Sequence, residues 1–373
     1  MGRTAVKDRS YKKRKRIRNK RWDESTTDTV TRESRSKRED SDDTLPDIDI
    51  DAIFTACETN ALVISPYGLL AFVERNGEEQ LCRVDDRLTD GRRSILAPGD
   101  LVCVVERGDE SFVEAVRTRT SKISRPYGSG GREKTLAANI DTAVIVAAAA
   151  EPAFRPGLVD RYLIASAIGG VQPVLCVNKM DLVDIEPPEV GIYRELGIEV
   201  VNTCCKSGMG LDTLRTTLFG KTVVLTGHSG VGKSSLLNAL DPALEIETQD
   251  VSRHTQKGRH TTTSSRLYSL NSTTRIIDTP GIRQMGLWNV EPEQVNRYFH
   301  EIAEAGVACK FRDCTHTHEP ACAVREAVAS GAVTDARYRS YLRIRESLMK
   351  DDSNRTGTID SQFRMPGPRS TGA

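Results

Sequence analysis

The sequence predicts a multi-domain chain with three folded parts. These are an N-terminal all-β, OB-like barrel, a central α/β domain whose loops run in permuted order, and a C-terminal, mostly helical domain built on a Cys/His cluster. Three observations carry this. Short β-type runs without helical period fill residues 55–122. Three loop motifs occur at 178–181, 227–235 and 278–281, each after an apolar run. Three Cys and two His fall between 309 and 322.

The ends differ in kind from the middle. Residues 3–21 hold eleven Lys and Arg against one Asp, and 23–51 turn acidic and Ser/Thr-rich. Such blocks cannot bury a core, so 1–54 is expected to be a disordered extension, and the polar 351–373 a disordered tail. The basic block lacks the apolar stretch of a secretory peptide, and no run approaches membrane-spanning length; a cytoplasmic protein without a membrane partner is expected. Net charge is +1 over 373 residues, so any nucleic-acid affinity has to come from local patches.

Within 55–122 the strand candidates are Ala61–Ser65, Leu69–Val73, Leu81–Val84, Asp100–Val105 and Phe112–Arg117, punctuated by Gly68, Gly77, Pro98-Gly99 and Gly108-Asp109. Five short strands suggest a small barrel, an OB-fold above an SH3-like one. Arg83, Arg87, Arg92 and Arg93 gather near one loop, either as an RNA-facing patch or as a solvated basic turn.

The central domain spans 130–290. Val223-Val224-Leu225 leads into Gly227-His228-Ser229-Gly230-Val231-Gly232-Lys233-Ser234-Ser235, and a helix follows. G-x-x-x-x-G-K-S between strand and helix points backbone N–H groups at phosphate oxygens. Lys233 is expected at the β- and γ-phosphates and Ser234 on Mg²⁺. A phosphate loop does not choose a base. Asn178-Lys179-Met180-Asp181, at the end of the apolar run Val174–Val177, does: a carboxylate accepts two parallel N–H bonds, and guanine offers that pair at N1 and its 2-amino group. Asp181 is the expected base reader, with Asn178 and Lys179 bracing the loop. Thr203-Cys204-Cys205-Lys206 looks like a fifth, backbone-mediated base contact, which places Cys204 and Cys205 at GTP.

Asp278-Thr279-Pro280-Gly281 is the D-x-x-G that holds Mg²⁺ through water and senses the γ-phosphate at Gly281. In Gly258-Arg259-His260-Thr261-Thr262-Thr263, Thr262 suits a switch loop that reaches Mg²⁺. Ile282 stands where Ras-like enzymes carry a water-orienting Gln, so slow intrinsic hydrolysis is expected, with His260 the internal candidate for the missing contact. The base motif precedes the phosphate loop, whereas ordinary GTPases have the reverse order. The central domain is therefore read as a circularly permuted P-loop GTPase, its old termini joined through Leu218–Lys221.

Cys309-x4-Cys314-x-His316-x5-Cys322 supplies a Cys₃His set suited to one closed, structural Zn²⁺, with His318 a near neighbour that competes with His316. Helical periodicity flanks it in Val295–Ala305 and Asp335–Leu348, giving a zinc-binding helical domain over 291–350.

The order of barrel, permuted GTPase and zinc module, with Gly258–Thr263, Asp278–Gly281 and the Cys₃His spacing, closely resembles the RsgA (YjeQ) family of bacterial ribosome-assembly GTPases. Ala138-Asn139-Ile140-Asp141 and Asp160-Arg161-Tyr162-Leu163 are similar to that family's opening of the permuted domain. The likeness covers about residues 55–350 and omits the N-terminal extension. It implies late maturation of the small ribosomal subunit, rRNA binding, release of another assembly factor, and hydrolysis stimulated by the subunit. A monomer is expected. Two rival readings are an RNA-binding adaptor that keeps GTP as a structural ligand, and a signalling-type GTPase acting on a protein partner.

Overall fold

The structure, a computed structural model, describes residues 54–55, 58–90, 93–127, 132–244, 246, 265–279 and 286–362, with side chains from 58 to 350. The expectations for His260, Thr262, Gly281 and Ile282 fall outside the described residues. Among these residues, no helix is long and apolar enough to cross a membrane.

Strands β2 (Ala61–Tyr67), β3 (Leu70–Arg75), β4 (Glu78–Val84), β5 (Leu101–Arg107) and β6 (Glu110–Arg117) close into a five-stranded barrel, and β1 (Phe54–Thr55) adds to β6. Antiparallel hairpins join β2 to β3, β3 to β4 and β5 to β6; β4 pairs with β6 in parallel, and β5 returns to β2. Alternate residues Val63, Val73, Cys82, Val102 and Val113 point inward and are fully buried. Strand β4 starts three residues earlier than its apolar run because Asn76 and Gly77, both at positive φ (55° and 82°), make a tight hairpin turn that carries pairing straight into Glu78.

A hairpin, β7 (Lys122–Tyr127) with β8 (Arg132–Ala138), straddles the boundary expected between the barrel and the central domain. It leads into a sheet of β9 (Thr142–Ala148), β10 (Gln172–Asn178), β11 (Glu199–Asn202), β12 (Thr222–Thr226), β13 (Arg266–Ser269) and β14 (Arg275–Asp278), in the order β11-β10-β9-β12-β14-β13. All are parallel except β13. Both faces are covered, so the strands are near-continuous apolar runs and all seven residues of β9 are buried. Ile145, Leu175, Val177, Val224 and Ile277 face helix α1 (Pro156–Ile168) and the C-terminal module. Their neighbours Val144, Val146, Val174, Cys176, Val223 and Leu225 face α3 (Leu211–Leu218) and α4 (Lys233–Leu240). A short helix, α2 (Glu189–Glu195), leads into β11. From α3 the chain reaches β12 through three residues; Gly220 turns at φ +73° and its amide is capped by the Thr274 hydroxyl at 3.0 Å.

The barrel sits on the β13 edge of this sheet. Glu79 accepts from Arg266 at 2.7 Å, and the Ser65 hydroxyl donates to the Ser265 carbonyl at 3.1 Å. Beneath it, the nearly buried Arg119 pairs with the fully buried Asp100 at 2.7 Å and also donates to the Thr135 hydroxyl and the Ile95 carbonyl. Gly99 packs against the Ala138 carbonyl so closely that a Cβ would overlap it.

After β14 come a 3₁₀ turn (Pro292–Tyr298), α5 (His300–Gly306), α6 (Ala323–Ser330) and α7 (Asp335–Gln362). The module docks on α1. Arg337 donates to Asp160 Oδ1 at 2.5 Å and to Glu301 Oε1 at 2.6 Å, with its guanidinium 4.2 Å above the Phe299 ring. Burial pushes the Asp160 carboxyl up; Arg337, Ser340 and Tyr193 oppose it. Helix α7 runs past residue 350, where a loose tail was expected, to Gln362. A helix already nucleated by packing extends at little cost through polar residues, which sequence composition alone does not reveal.

Candidate functional site

Three loops converge at the carboxyl ends of β12, β10 and β14, the edge at which open α/β sheets bind ligands. The loop after β12 is shaped by glycine. Gly227, Gly230 and Gly232 have φ of 144°, 85° and 96°; a Cβ on Gly227 would overlap the Val146 carbonyl, and one on Gly232 the Asn178 amide. Helix α4 opens at Lys233 with no side-chain cap, so its first amides are available to an anion. Ser234 and Ser235 lie half-buried in that first turn, His228 and Ser229 are half-buried in the loop, and Val231 is buried beneath it.

Lys233 is 8% exposed and donates to the carbonyls of Gly227 at 2.9 Å and His228 at 3.1 Å, curling back over its own loop. Burial lowers its pKa and Asp278 opposes that. Asp278 ends β14; burial lifts its carboxyl to about 6, with Lys233 pulling the other way, and its Oδ1 is buried without a hydrogen-bond partner. A buried carboxylate oxygen lacking a donor, beside a phosphate loop, is what a hydrated Mg²⁺ satisfies. Thr279 fastens the strand end, donating to the Leu225 carbonyl at 2.8 Å.

The raised Asp278 carboxyl has a measurable consequence. The folded state holds this proton more tightly than the unfolded chain, so the nucleotide-free protein loses stability as pH rises from about 4 through about 6. Asp278→Asn is expected to stabilise that form by about 1–3 kcal/mol at pH 7 while cutting Mg²⁺-dependent hydrolysis about a hundredfold or more. Denaturant melts and single-turnover rates test both; a destabilised variant would remove the unsatisfied-carboxylate account.

Asn178 closes β10 and joins two loops. Its amide donates to the Val231 carbonyl at 3.0 Å, and its Oδ1 accepts from Thr203 Oγ1 at 3.2 Å and Cys205 Sγ at 3.5 Å. Lys179 takes the left-handed conformation, φ 62°, and its ammonium donates to the Glu151 carbonyl. The Met180 amide donates to the Thr203 carbonyl at 3.2 Å. Asp181 accepts from Lys206 Nζ at 2.8 Å on one oxygen and from Cys204 Sγ at 3.4 Å on the other. The Lys206 hydrogen bond, then that of Cys204, holds the Asp181 carboxyl below its ordinary range. Thr203, Lys206 and Thr279 are the contacts that sequence reasoning passed over, although each lies inside a stretch it had singled out. A small, largely apolar hollow adjoins the phosphate loop between Ala148, Phe154, Leu158, Tyr162, His228 and Val231. It does not reach Lys233, Asp181 or Asp278.

In the C-terminal module, Cys309, Cys314, His316 and Cys322 bring their ligand atoms within 4.8 Å of one another. His316 Nδ1 lies 3.5 Å from both Cys309 Sγ and Cys322 Sγ. His318 is not in the cluster and instead bonds the Thr317 hydroxyl at 2.8 Å. Second contacts hold the ligand loop: Tyr338 donates to the His316 carbonyl at 2.6 Å, Tyr341 to the Thr315 carbonyl at 2.9 Å, and Glu319 accepts from the amides of Thr315 and Thr317. Three thiols and one imidazole around a common centre fit a tetrahedral, closed Zn²⁺ site.

The phosphate loop after β12, the base loop after the earlier β10 and the D-x-x-G after β14 make this a circularly permuted P-loop GTPase. The family model described as RsgA GTPase matches residues 116–288. The chain is 39% identical over 305 residues to the small ribosomal subunit biogenesis GTPase RsgA of Haemophilus influenzae (strain 86-028NP), covering 79% of this chain and 86% of the relative. It is 38% identical over 338 residues to the RsgA of Saccharophagus degradans, covering 87% and 96%. Among solved structures it is similar to YjeQ from Thermotoga maritima, with TM-score 0.59, 29% identity, and 78% and 98% of the two chains covered. It is also similar to YloQ, a circularly permuted GTPase, with TM-score 0.54, 28% identity, and 78% and 94% covered. The chain belongs to the RsgA GTPase family and is an enzyme that hydrolyses GTP.

Proposed function

We propose that this protein is a cytoplasmic, monomeric factor in late maturation of the small ribosomal subunit, gripping rRNA in its GTP form and releasing it after slow hydrolysis that the subunit stimulates. The observation that carries this is the likeness, at 38–39% identity over most of the chain, to proteins named for small ribosomal subunit biogenesis. The barrel's pairing order supports an OB-fold, a scaffold suited to nucleic acid, and in this reading Arg83, Arg87 and Arg93 face rRNA. A second assembly factor on the same particle is a further expected partner.

In this reading Asp181 receives guanine N1–H and the 2-amino group, with Lys206 giving way, while Asn178, Lys179 and Met180 shape the base slot and Cys204 and Cys205 line its floor. Gly227–Ser235 hold the phosphates. Lys233 leaves its two loop carbonyls for the β- and γ-phosphates, and Ser234 and Asp278 hold Mg²⁺, Asp278 through water. Gly281 and Thr262 sense the γ-phosphate and His260 orients water; these three come from the sequence alone. Mg²⁺ would neutralise charge on the phosphates. Cys309, Cys314, His316 and Cys322 would hold a structural Zn²⁺.

Purified small subunits should raise the single-turnover rate by about tenfold or more, with Lys233→Ala inactive in both conditions. The subunits should also bind the protein loaded with a non-hydrolysable GTP analogue more tightly than with GDP, and that preference must be reciprocal. Equal affinity for the two forms, with no stimulation, would leave the adaptor reading suggested by Ile282.

A further inference from the structure

The barrel reaches the carboxylate end of the site along β13. This edge strand pairs antiparallel with β14 and stands Arg266 directly opposite Asp278. Directly opposed residues of an antiparallel pair project from the same face, with Cβ atoms about 4.5–5.5 Å apart. The neighbouring pair Leu267 and Ile277 both enter the core that faces α1 and the C-terminal module. Arg266 and Asp278 therefore share the other face, which Ile276 shares with α4. Their side chains nevertheless part. Arg266 Nη2 reaches over the sheet edge to both oxygens of Glu79 in the barrel, at 2.7 and 3.0 Å, with the guanidinium carbon 6.0 Å from the ring centroids of Phe72 and Tyr268. Among the described residues, nothing donates to the buried Asp278 Oδ1. An arginine opposite such an oxygen is well placed to satisfy it with a charge-assisted hydrogen bond, and here the barrel carboxylate holds that arginine instead.

We propose that Glu79 is a positioning residue for GTP hydrolysis: its ion pair with Arg266 keeps the Asp278 carboxylate open to Mg²⁺, and an Arg266 freed from Glu79 takes that carboxylate in place of the ion. The inference rests on reading Asp278 as the carboxylate that holds hydrated Mg²⁺. The pair suits this role because it is weak. The Arg266 and Glu79 side chains are 35% and 42% exposed, and an ion pair so open to water contributes little to stability. Other contacts hold the barrel in place without it. The buried Ser65 hydroxyl bonds the Ser265 carbonyl, and Ile64 and Phe72 pack into the core beneath the sheet.

At Asp278 the balance differs. There a guanidinium would meet a carboxylate in a desolvated corner, where a charge-assisted hydrogen bond is stronger than at the surface. It would cover the oxygen that a hydrated Mg²⁺ needs and repel the ion. The Lys233 ammonium, also close to Asp278, opposes the arrival of a second cation, so a modest change at Glu79 decides where Arg266 rests. The two modules are thereby linked: a barrel drawn away from β13 takes Glu79 with it and lets Arg266 close the Mg²⁺ site.

The test uses the full chain and titrates Mg²⁺ with two readouts, release of a fluorescent GDP and single-turnover hydrolysis. Glu79→Gln should raise the half-saturating Mg²⁺ concentration about tenfold in both. Arg266→Met alone should stay within about twofold of wild type, and adding it to Glu79→Gln should restore the wild-type value. A pair that merely braced barrel against sheet gives a different pattern, in which either single variant and the double variant shift alike. Such equal shifts overturn the proposal. So does a Glu79→Gln protein with unchanged Mg²⁺ dependence, or one that the second substitution fails to rescue. Thermal melts establish that each variant is folded before it is titrated. Asp278→Asn isolates the premise: if GDP release from that variant keeps the wild-type Mg²⁺ dependence, Asp278 is not the magnesium carboxylate, and the reading of the site fails before Glu79 is tested.

Discussion

Cys314→Ser or Cys322→Ala is expected to release about one equivalent of zinc and to unfold the module after residue 290, because a closed zinc site supplies on the order of 10 kcal/mol of folding energy. The ligand loop's supports are Glu319, which accepts from the Thr315 and Thr317 amides, and the hydroxyls of Tyr338 and Tyr341. Losing the module also strips Arg337 from Asp160 and uncovers the face of α1 on which it packs, which would loosen α1. GDP should still bind, since no nucleotide loop lies in the module. Metal analysis, with protease mapping of the region after 290, checks this; wild-type protein purified reduced and zinc-free would refute the metal assignment.

Asp181→Asn is the second large effect. The amide cannot accept both guanine N–H groups, so GTP affinity should fall by about 2–4 kcal/mol, while xanthosine triphosphate, whose 2-position carbonyl accepts, should gain. Lys206 sharpens the expectation. In the nucleotide-free protein it neutralises Asp181 at 2.8 Å, and the variant frees it. Competition binding with GTP and the xanthosine nucleotide reads the switch directly, and unchanged GTP affinity would remove residues 178–181 from the base slot.

What the sequence disclosed was set by distance along the chain. The phosphate loop, Asn178–Asp181 and the Cys₃His spacing are local patterns, in which the residue types and their spacing already contain the geometry. The barrel strands were also legible, since inward-facing apolar residues alternate. The contacts that assemble these parts were not. Arg337 and Asp160 lie 177 residues apart, and Arg266 and Glu79 lie 187 apart; no window of sequence pairs them. The β7–β8 hairpin escaped notice because its strands are polar and their register is set by each other. At the site itself, the Lys206–Asp181 pair and the thiol contacts of Cys204 and Cys205 depended on how two loops from different strands meet. The choice between His316 and His318 needed the fold of the ligand loop.

The position of β9 has a consequence for how the chain is made. It lies in the middle of the sheet, with β10 on one side and β12 on the other, yet β12 begins at Thr222, long after β9 ends at Ala148. As the protein leaves the ribosome that synthesises it, β9, β10 and β11 can pair while the other edge of β9 stays bare, an apolar ribbon of unpaired amides and carbonyls. In a GTPase of ordinary order the phosphate-loop strand is already present when that edge appears. Here the nascent half-sheet is open to wrong partners until Thr222–Thr226 emerges and seals it, and a chain that stalled or was cut just before that strand would be prone to aggregate.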